Sequence, residues 1–280
     1  MQRRFFKITL RKESVKMGLF DKLFKKQTDN EDKQVNTNDA VGTSSLAQQV
    51  GKVSLSKEDR VAKINLAKEE VHKVSLAKPA LNNLTSRVAI VLDYSMSMDR
   101  LYKDGTVQGI LETALPIAMQ FDDNGKLEVW IFEDRFNRLP DMDIDNFYGY
   151  VQREIIDKRY SMGGTNYAPV IRDIINKYKD EEPMNIPSYV IFITDGDNWD
   201  KEETTKVIRE ASYLPIFWQF IGVGNASMPY LEKLDDMDGR YVDNADFFQV
   251  VKADQVTYDK MLDEYPVWVS DSKVKEMLSK

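Results

Sequence analysis

Short apolar runs, each cut off by polar residues, punctuate the chain from residue 87 onward. Val88-Ala89-Ile90-Val91-Leu92 ends at Asp93, and Tyr189-Val190-Ile191-Phe192-Ile193-Thr194 ends at Asp195. Runs this short and rich in β-branched residues predict strands buried on both faces, as in a parallel sheet. Leu127–Phe132 and Ile216–Val223 read the same way, and Arg240–Val242 reads as a short last strand. Between the strands the period changes. Val107, Ile110, Leu111, Ala114, Ile117, Ala118 and Phe121 recur at three and four residues, the stripe of a helix lying on a core. Pro116 should bend that helix or remove one of its hydrogen bonds. Ile171, Ile174, Ile175 and Tyr178 begin a second helix, with Pro169 suited to its first turn. Leu231 and Leu234 mark a third, and Gln255–Tyr265 a closing one. Strands alternating with helices predict an α/β fold: a doubly wound, mostly parallel sheet covered on both faces, preceded by a partly disordered N-terminal extension.

The first eighty residues divide into three parts. Residues 1–26 are basic with interspersed aromatics, and Phe20, Leu23 and Phe24 share one helical face, so peripheral contact with an anionic membrane surface is one reading. A short helix docking on protein, or a disordered start, is the plainer one. Met17 offers a second possible start. Residues 27–50 are polar and aperiodic, as expected of a disordered linker. Residues 51–80 carry a repeat, Lys52-Val53-Ser54-Leu55, Lys63-Ile64-Asn65-Leu66 and Lys73-Val74-Ser75-Leu76. Its alternation suggests short strands that could add to a partner's sheet edge, while its spacing also tolerates one helical face. A solvated linker is the competing reading.

Charge divides the chain at the same place. The first 80 residues hold 17 Lys plus Arg against 10 Asp plus Glu, a net of +7, which leaves −14 for residues 81–280. No nucleic-acid partner is expected of so acidic a domain. Cys is absent, which excludes disulfides, zinc–thiolate sites and thiol nucleophiles and fits a reducing compartment. The single histidine, His72, lies in the extension, so neither a Ser-His-Asp triad nor a histidine-ligated metal is available to the main domain. Neither a secretory signal nor a membrane span is read, and a cytoplasmic location is expected.

Candidate chemistry gathers where the strands end. Open α/β sheets bind ligands beyond the carboxyl ends of their strands. Asp93-Tyr94-Ser95-Met96-Ser97 and Thr194-Asp195-Gly196-Asp197 follow two of them, and Gly163-Gly164-Thr165-Asn166 precedes the second helix. Asp93, Ser95, Ser97, Thr165 and Asp195 would bring two carboxylates and three hydroxyls to one edge. Such an all-oxygen set suits a hard divalent cation, Mg²⁺ first, then Mn²⁺ or Ca²⁺. The alternative, that Ser95, Ser97 and Thr165 merely cap helices, accounts for one or two positions but not all five.

At these residues the sequence resembles the von Willebrand factor A (vWA) domain. Its metal-ion-dependent adhesion site is an Asp-x-Ser-x-Ser motif completed by a distant Thr and a distant Asp. Phe121-Asp122-Asp123-Asn124-Gly125-Lys126-Leu127-Glu128-Val129-Trp130 and Gly163-Gly164-Thr165-Asn166-Tyr167-Ala168-Pro169 are similar to the A domains of bacterial tellurium-resistance proteins of the TerF type. The resemblance covers residues 81–280. It implies a metal-dependent protein–protein interaction module in a stress or tellurite-resistance system, with a partner's Asp or Glu completing the coordination of the ion.

An enzyme is the competing reading, a Mg²⁺-dependent hydrolase or phosphotransferase using the same site. A haloacid-dehalogenase-like phosphatase needs an acid two residues after its first Asp, where this chain has Ser95, and no Gly-x-x-x-x-Gly-Lys-Ser/Thr loop occurs. Catalysis is therefore not expected. Around the five residues, Asp197 and Asn198 are expected on the rim and Trp199 as a partner anchor or packed on the next helix. Tyr94 and Met96 should pack, and Tyr160 and Tyr167 should shape the rim. Trp130 and Trp218 belong in the core, and Asp141, Asp143 and Asp145 on a solvated surface.

Overall fold

The computed structural model describes residues 55–182 and 184–279. The readings for residues 1–26 and 27–50, and for the first repeat unit up to Ser54, lie outside these residues. Six strands form one sheet in the order β3-β2-β1-β4-β5-β6. They are β1 (Arg87–Asp93), β2 (Leu127–Phe132), β3 (Phe136–Met142), β4 (Ser188–Thr194), β5 (Ile216–Val223) and β6 (Ala245–Val250). All neighbours run parallel except β3, which is antiparallel to β2. This is the doubly wound, mostly parallel sheet expected.

Side-chain alternation splits the strands between two cores. Val88, Ile90 and Leu92 of β1 face one side, with Ile191 and Ile193 of β4. Ala89 and Val91 face the other, with Val190 and Phe192. The first side is covered by α1 (Lys57–Ala77), the short α2 (Asp99–Lys103), α3 (Thr106–Phe121) and the chain's last helices, including α7 (Tyr258–Met261) and α8 (Tyr265–Ser270). The second is covered by α4 (Ala168–Asn176), α5 (Lys201–Ala211) and α6 (Pro229–Asp235). Burial on both faces explains why these strands are unbroken apolar runs, and Trp130 and Trp218 are buried within them as expected.

The repeat segment departs from the strand reading: within the described residues it is the single helix α1. Ser56 caps it reciprocally, its Oγ accepting from Asp59 N–H at 3.1 Å while Asp59 Oδ2 accepts from Ser56 N–H at 3.3 Å. Ile64, Ala67, Val71 and Val74 recur at helical spacing and join the first core, while Leu66 and Leu76, the second apolar position of their repeat units, face outward. Arg60 Nη1 reaches both oxygens of Glu112 on α3 at 2.6 and 2.9 Å. Burial follows the helical face and not the alternation within each unit.

Other differences lie at the sheet edges and the C-terminus. Arg240–Val242 is not a strand; the last strand is Ala245–Val250, whose half-buried Asp246 and Gln249 hide its apolar pattern. The antiparallel β3 had no sequence reading because it is an edge strand with Pro140 and mixed polarity. Asp143, next to it, caps a turn by accepting from Asp145 and Asn146 N–H at 3.0 and 3.1 Å. The expected helix Gln255–Tyr265 is broken, with α7, α8 and α9 (Ser272–Leu278) following in succession. α3 continues through Pro116, which can donate no hydrogen bond, and Tyr258 OH donates to the Thr113 carbonyl one turn earlier at 3.1 Å. Among the described residues no helix is long and apolar enough to cross a membrane.

From β1 the chain crosses to β2 by way of α3 on one face, and from β4 to β5 by way of α5 on the other. The order therefore reverses between β1 and β4, and the crevice beyond their carboxyl ends is where such sheets take ligands.

Candidate functional site

Asp93 ends β1 and Thr194 ends β4, side by side in the register that pairs Leu92 with Ile193. The Asp93 carboxylate is fully buried. Its Oδ1 accepts from Ser95 N–H at 2.8 Å and its Oδ2 from Thr194 Oγ1 at 2.6 Å. Burial pushes its pKa up to about 6, against the lowering effect of these hydrogen bonds. Asp195, at the mouth, is also raised by burial, opposed by its hydrogen bond from Ser97. Among the described residues, no cationic side chain is found among the groups that shift either carboxyl.

The two serines bridge the acids. Ser95 Oγ and Ser97 Oγ lie 3.0 Å apart, and Ser97 Oγ donates to Asp195 Oδ1 at 2.8 Å. The first loop enters through extended Ser95 and then turns, Met98 N–H donating to Ser95 carbonyl at 3.1 Å, which brings residues two apart onto one side. Tyr102 OH closes the loop from behind by donating to the Asp93 carbonyl at 2.9 Å. Asp93, Ser95, Ser97 and Asp195 thus form one polar cluster.

Thr165 arrives on a separate loop and is not part of that hydrogen-bond chain. Three main-chain ties hold the loop against the others. Gly163 carbonyl accepts from Met96 N–H at 3.3 Å, Glu133 carbonyl accepts from Asn166 N–H at 2.9 Å, and Thr165 carbonyl accepts from Trp199 N–H at 2.9 Å. The glycines are needed for closeness. A Cβ on Gly163 would stand 2.6 Å from Glu133 Oε2, and one on Gly164 would stand 2.5 Å from both Asp134 Oδ1 and Trp199 Cζ3.

The donor set is chemically consistent with a hard divalent cation. It offers oxygen alone, and a buried carboxylate facing a second acid without a compensating cation is what such an ion would neutralise. Among the described residues no cluster of three or more His, Cys, Asp or Glu side chains could hold a metal, so hydroxyls must complete any site here.

The surroundings differ from expectation in several places. Tyr167 is buried, not on the rim. Its OH donates to Gly196 carbonyl at 2.5 Å, which steadies the Asp195 loop from below. Asn198 is likewise buried, donating to Asp200 Oδ1 at 2.7 Å and Thr204 Oγ1 at 2.8 Å. Asp197 faces away from the acids, its carboxylate accepting from Tyr230 N–H at 3.2 Å and pairing with Lys201 at 2.8 Å. Tyr94 packs edge-on against Tyr102, as expected, but Met96 is 67% exposed. Trp199 is 75% exposed beside the Thr165 loop, which leaves its indole available to a partner. Tyr160 is partly buried against the first core.

Three residues had no sequence reading as contributors. Asp200 carries the start of α4, accepting from Tyr167 and Ala168 N–H at 3.0 and 2.8 Å. Glu133 and Asp134, just past β2, line the glycine pair, and Asp134 Oδ2 accepts from Gly164 N–H at 3.1 Å. Their position directly after a strand was the available signal.

Residues 85–278 match a family profile, vWA-TerF-like, described as the vWA found in the TerF C terminus. The uncharacterized protein YcbR of Bacillus subtilis (strain 168) is 41% identical over 221 residues, covering 77% of this chain and 90% of its own. Similar solved structures include the ArnB paralog VWA2 from Sulfolobus acidocaldarius, at 16% identity and a TM-score of 0.40. It is matched over 66% of this chain and 44% of its own. Another is proximal thread matrix protein 1 of the mussel byssus with a zinc-occupied MIDAS motif, at 17% identity and a TM-score of 0.44. That match covers 66% of this chain and 46% of the byssus protein, so the likeness spans under half of each solved chain.

Proposed function

The chain belongs to the vWA-TerF-like family, and we propose that its domain is a divalent-cation-dependent protein-binding module. Asp93, Ser95, Ser97, Thr165 and Asp195 would hold the ion, Mg²⁺ in the first instance, with Mn²⁺ or Ca²⁺ able to substitute. Bound there, the cation supplies a local positive charge on an otherwise acidic surface. A partner's Asp or Glu would meet it, as the coordination of Mg²⁺ leaves room for ligands from outside the protein. A role in a bacterial stress or tellurite-resistance system, in the cytoplasm, goes with this reading, and no turnover is expected of the site.

The observation that carries the proposal is the hydrogen-bonded row from Ser95 through Ser97 to Asp195, with Asp93 bound to Ser95 N–H behind it. Loops about a hundred residues apart bring these oxygens together without a cationic side chain between the acids. Calorimetry tests it directly. Mg²⁺ or Mn²⁺ should give a saturable heat with the native chain and none with Asp93→Ala. Proteins retained by the native chain in Mg²⁺ should be released by chelator; unchanged retention would refute metal-bridged capture.

A further inference from the structure

Building on that reading, we infer that the partner segment carries an Arg or Lys close to its acidic residue, and that Trp199 and Asp134 receive it. Trp199 is exposed yet held. Its N–H is anchored on the Thr165 carbonyl at 2.9 Å, and the edge of its six-membered ring lies over Gly164. The point where a Gly164 Cβ would stand is 2.5 Å from Trp199 Cζ3 and 2.5 Å from Asp134 Oδ1, so indole and carboxylate are neighbours across one glycine. Asp134 is itself oriented by the Gly164 N–H on its Oδ2. Arg135, the next residue, turns to Glu133 at 3.4 Å, and among the described residues no ion pair forms on Asp134.

An indole face with a fixed carboxylate beside it suits a guanidinium or ammonium group, which can stack on the ring and pair with the acid together. Met96, exposed and tied to the Gly163 carbonyl by its N–H, adds an apolar side chain near the glycine pair against which the methylene stem of a long cationic side chain can lie. Charge complementarity points the same way. Residues 81–280 carry −14, so a segment that brings a carboxylate to the site meets repulsion that a neighbouring cation offsets. A purely acidic segment would set like charges against Asp134, and a purely apolar one would desolvate it without a partner.

The test is selection of random phage-displayed peptides on the immobilised full chain in Mg²⁺, discarding clones that survive chelator. The Mg²⁺-dependent clones should share an Asp or Glu with an Arg or Lys within a few residues of it. A synthetic peptide of the leading clone should bind roughly 5-fold more weakly to Trp199→Ala and to Asp134→Asn, and nearly normally to Trp199→Phe. Trp199 is exposed, so unchanged melting of the variants would show that the loss is local. Clones that share an acid but no basic neighbour would overturn this inference while leaving metal-dependent capture intact. Clones without a shared acid would overturn both, and the magnesium calorimetry would then show whether the cation site itself had failed.

Discussion

Asp93→Asn should stabilise the metal-free protein while destroying its affinity for metal. The Asp93 carboxyl titrates near pH 6 in the folded chain against 3.8 for an ordinary aspartate. The unfolded chain therefore releases this proton first, and folding stability falls as pH rises through the window between those values. Below the unfolded pKa the penalty is absent; above the folded pKa it is complete. A difference of about two units corresponds to about 3 kcal/mol at pH 7.5, shrinking to about 0.5 kcal/mol near pH 4. Asparagine resembles the protonated acid and escapes the penalty. Its Oδ1 can still accept from Ser95 N–H, and the Thr194 hydroxyl can turn its proton to the Gly196 carbonyl, 3.0 Å away, and accept from the new amide. Denaturant melts in chelator across pH 4 to 7.5 would measure the effect, with Mg²⁺ added in a parallel series. The variant should be the more stable at pH 7.5 and nearly equal at pH 4, and Mg²⁺ should stabilise the native chain alone, by about 2.7 kcal/mol at a hundredfold excess over Kd. A variant no more stable than the native chain at pH 7.5 would falsify the claim that Asp93 is a buried, uncompensated charge.

Three further outcomes test other parts of the argument. Thr165→Ala should lower Mg²⁺ affinity at least tenfold by calorimetry while changing stability by only about 1 kcal/mol, the usual effect of a lone substitution; unaltered affinity would remove Thr165 from the ion's ligands. Gly164→Ala places a Cβ against Asp134 and Trp199, so it should cost about 1–3 kcal/mol and weaken Mg²⁺-dependent capture. Full retention of both properties would show the loop is not held that closely. Ile64→Ala on α1 should lose about 2–5 kcal/mol in urea melts, the range for opening a cavity in a core. A loss below about 0.5 kcal/mol would mean the helix is not part of the cooperative unit.

The central strands and the emergence of Asp93 and Asp195 at the sheet's edge were legible because each depends on local pattern. A strand buried on both faces must be apolar throughout, and a side chain one step past such a strand must emerge at the sheet's edge. Asp93 after Leu92 and Asp195 after Thr194 could be placed on that reasoning alone. The approach of Ser95 and Ser97 to each other likewise needs only one turn.

Other features depend on surfaces remote in sequence. Whether residues 57–77 became strands, linker or helix turned on the apolar face of α3 against which Ile64, Val71 and Val74 could be buried. β3 and β6 pair through backbone groups at the edges, where solvent on one side relaxes the demand for apolar residues and erases the pattern. Tyr167, Asn198 and Asp200 are polar groups whose roles come from the carbonyls and N–H groups that folding sets beside them. The placing of Trp199 and Asp134 on either side of Gly164 joins three loops. Pattern along a chain records which side of an element is buried; which two elements meet there is settled by packing.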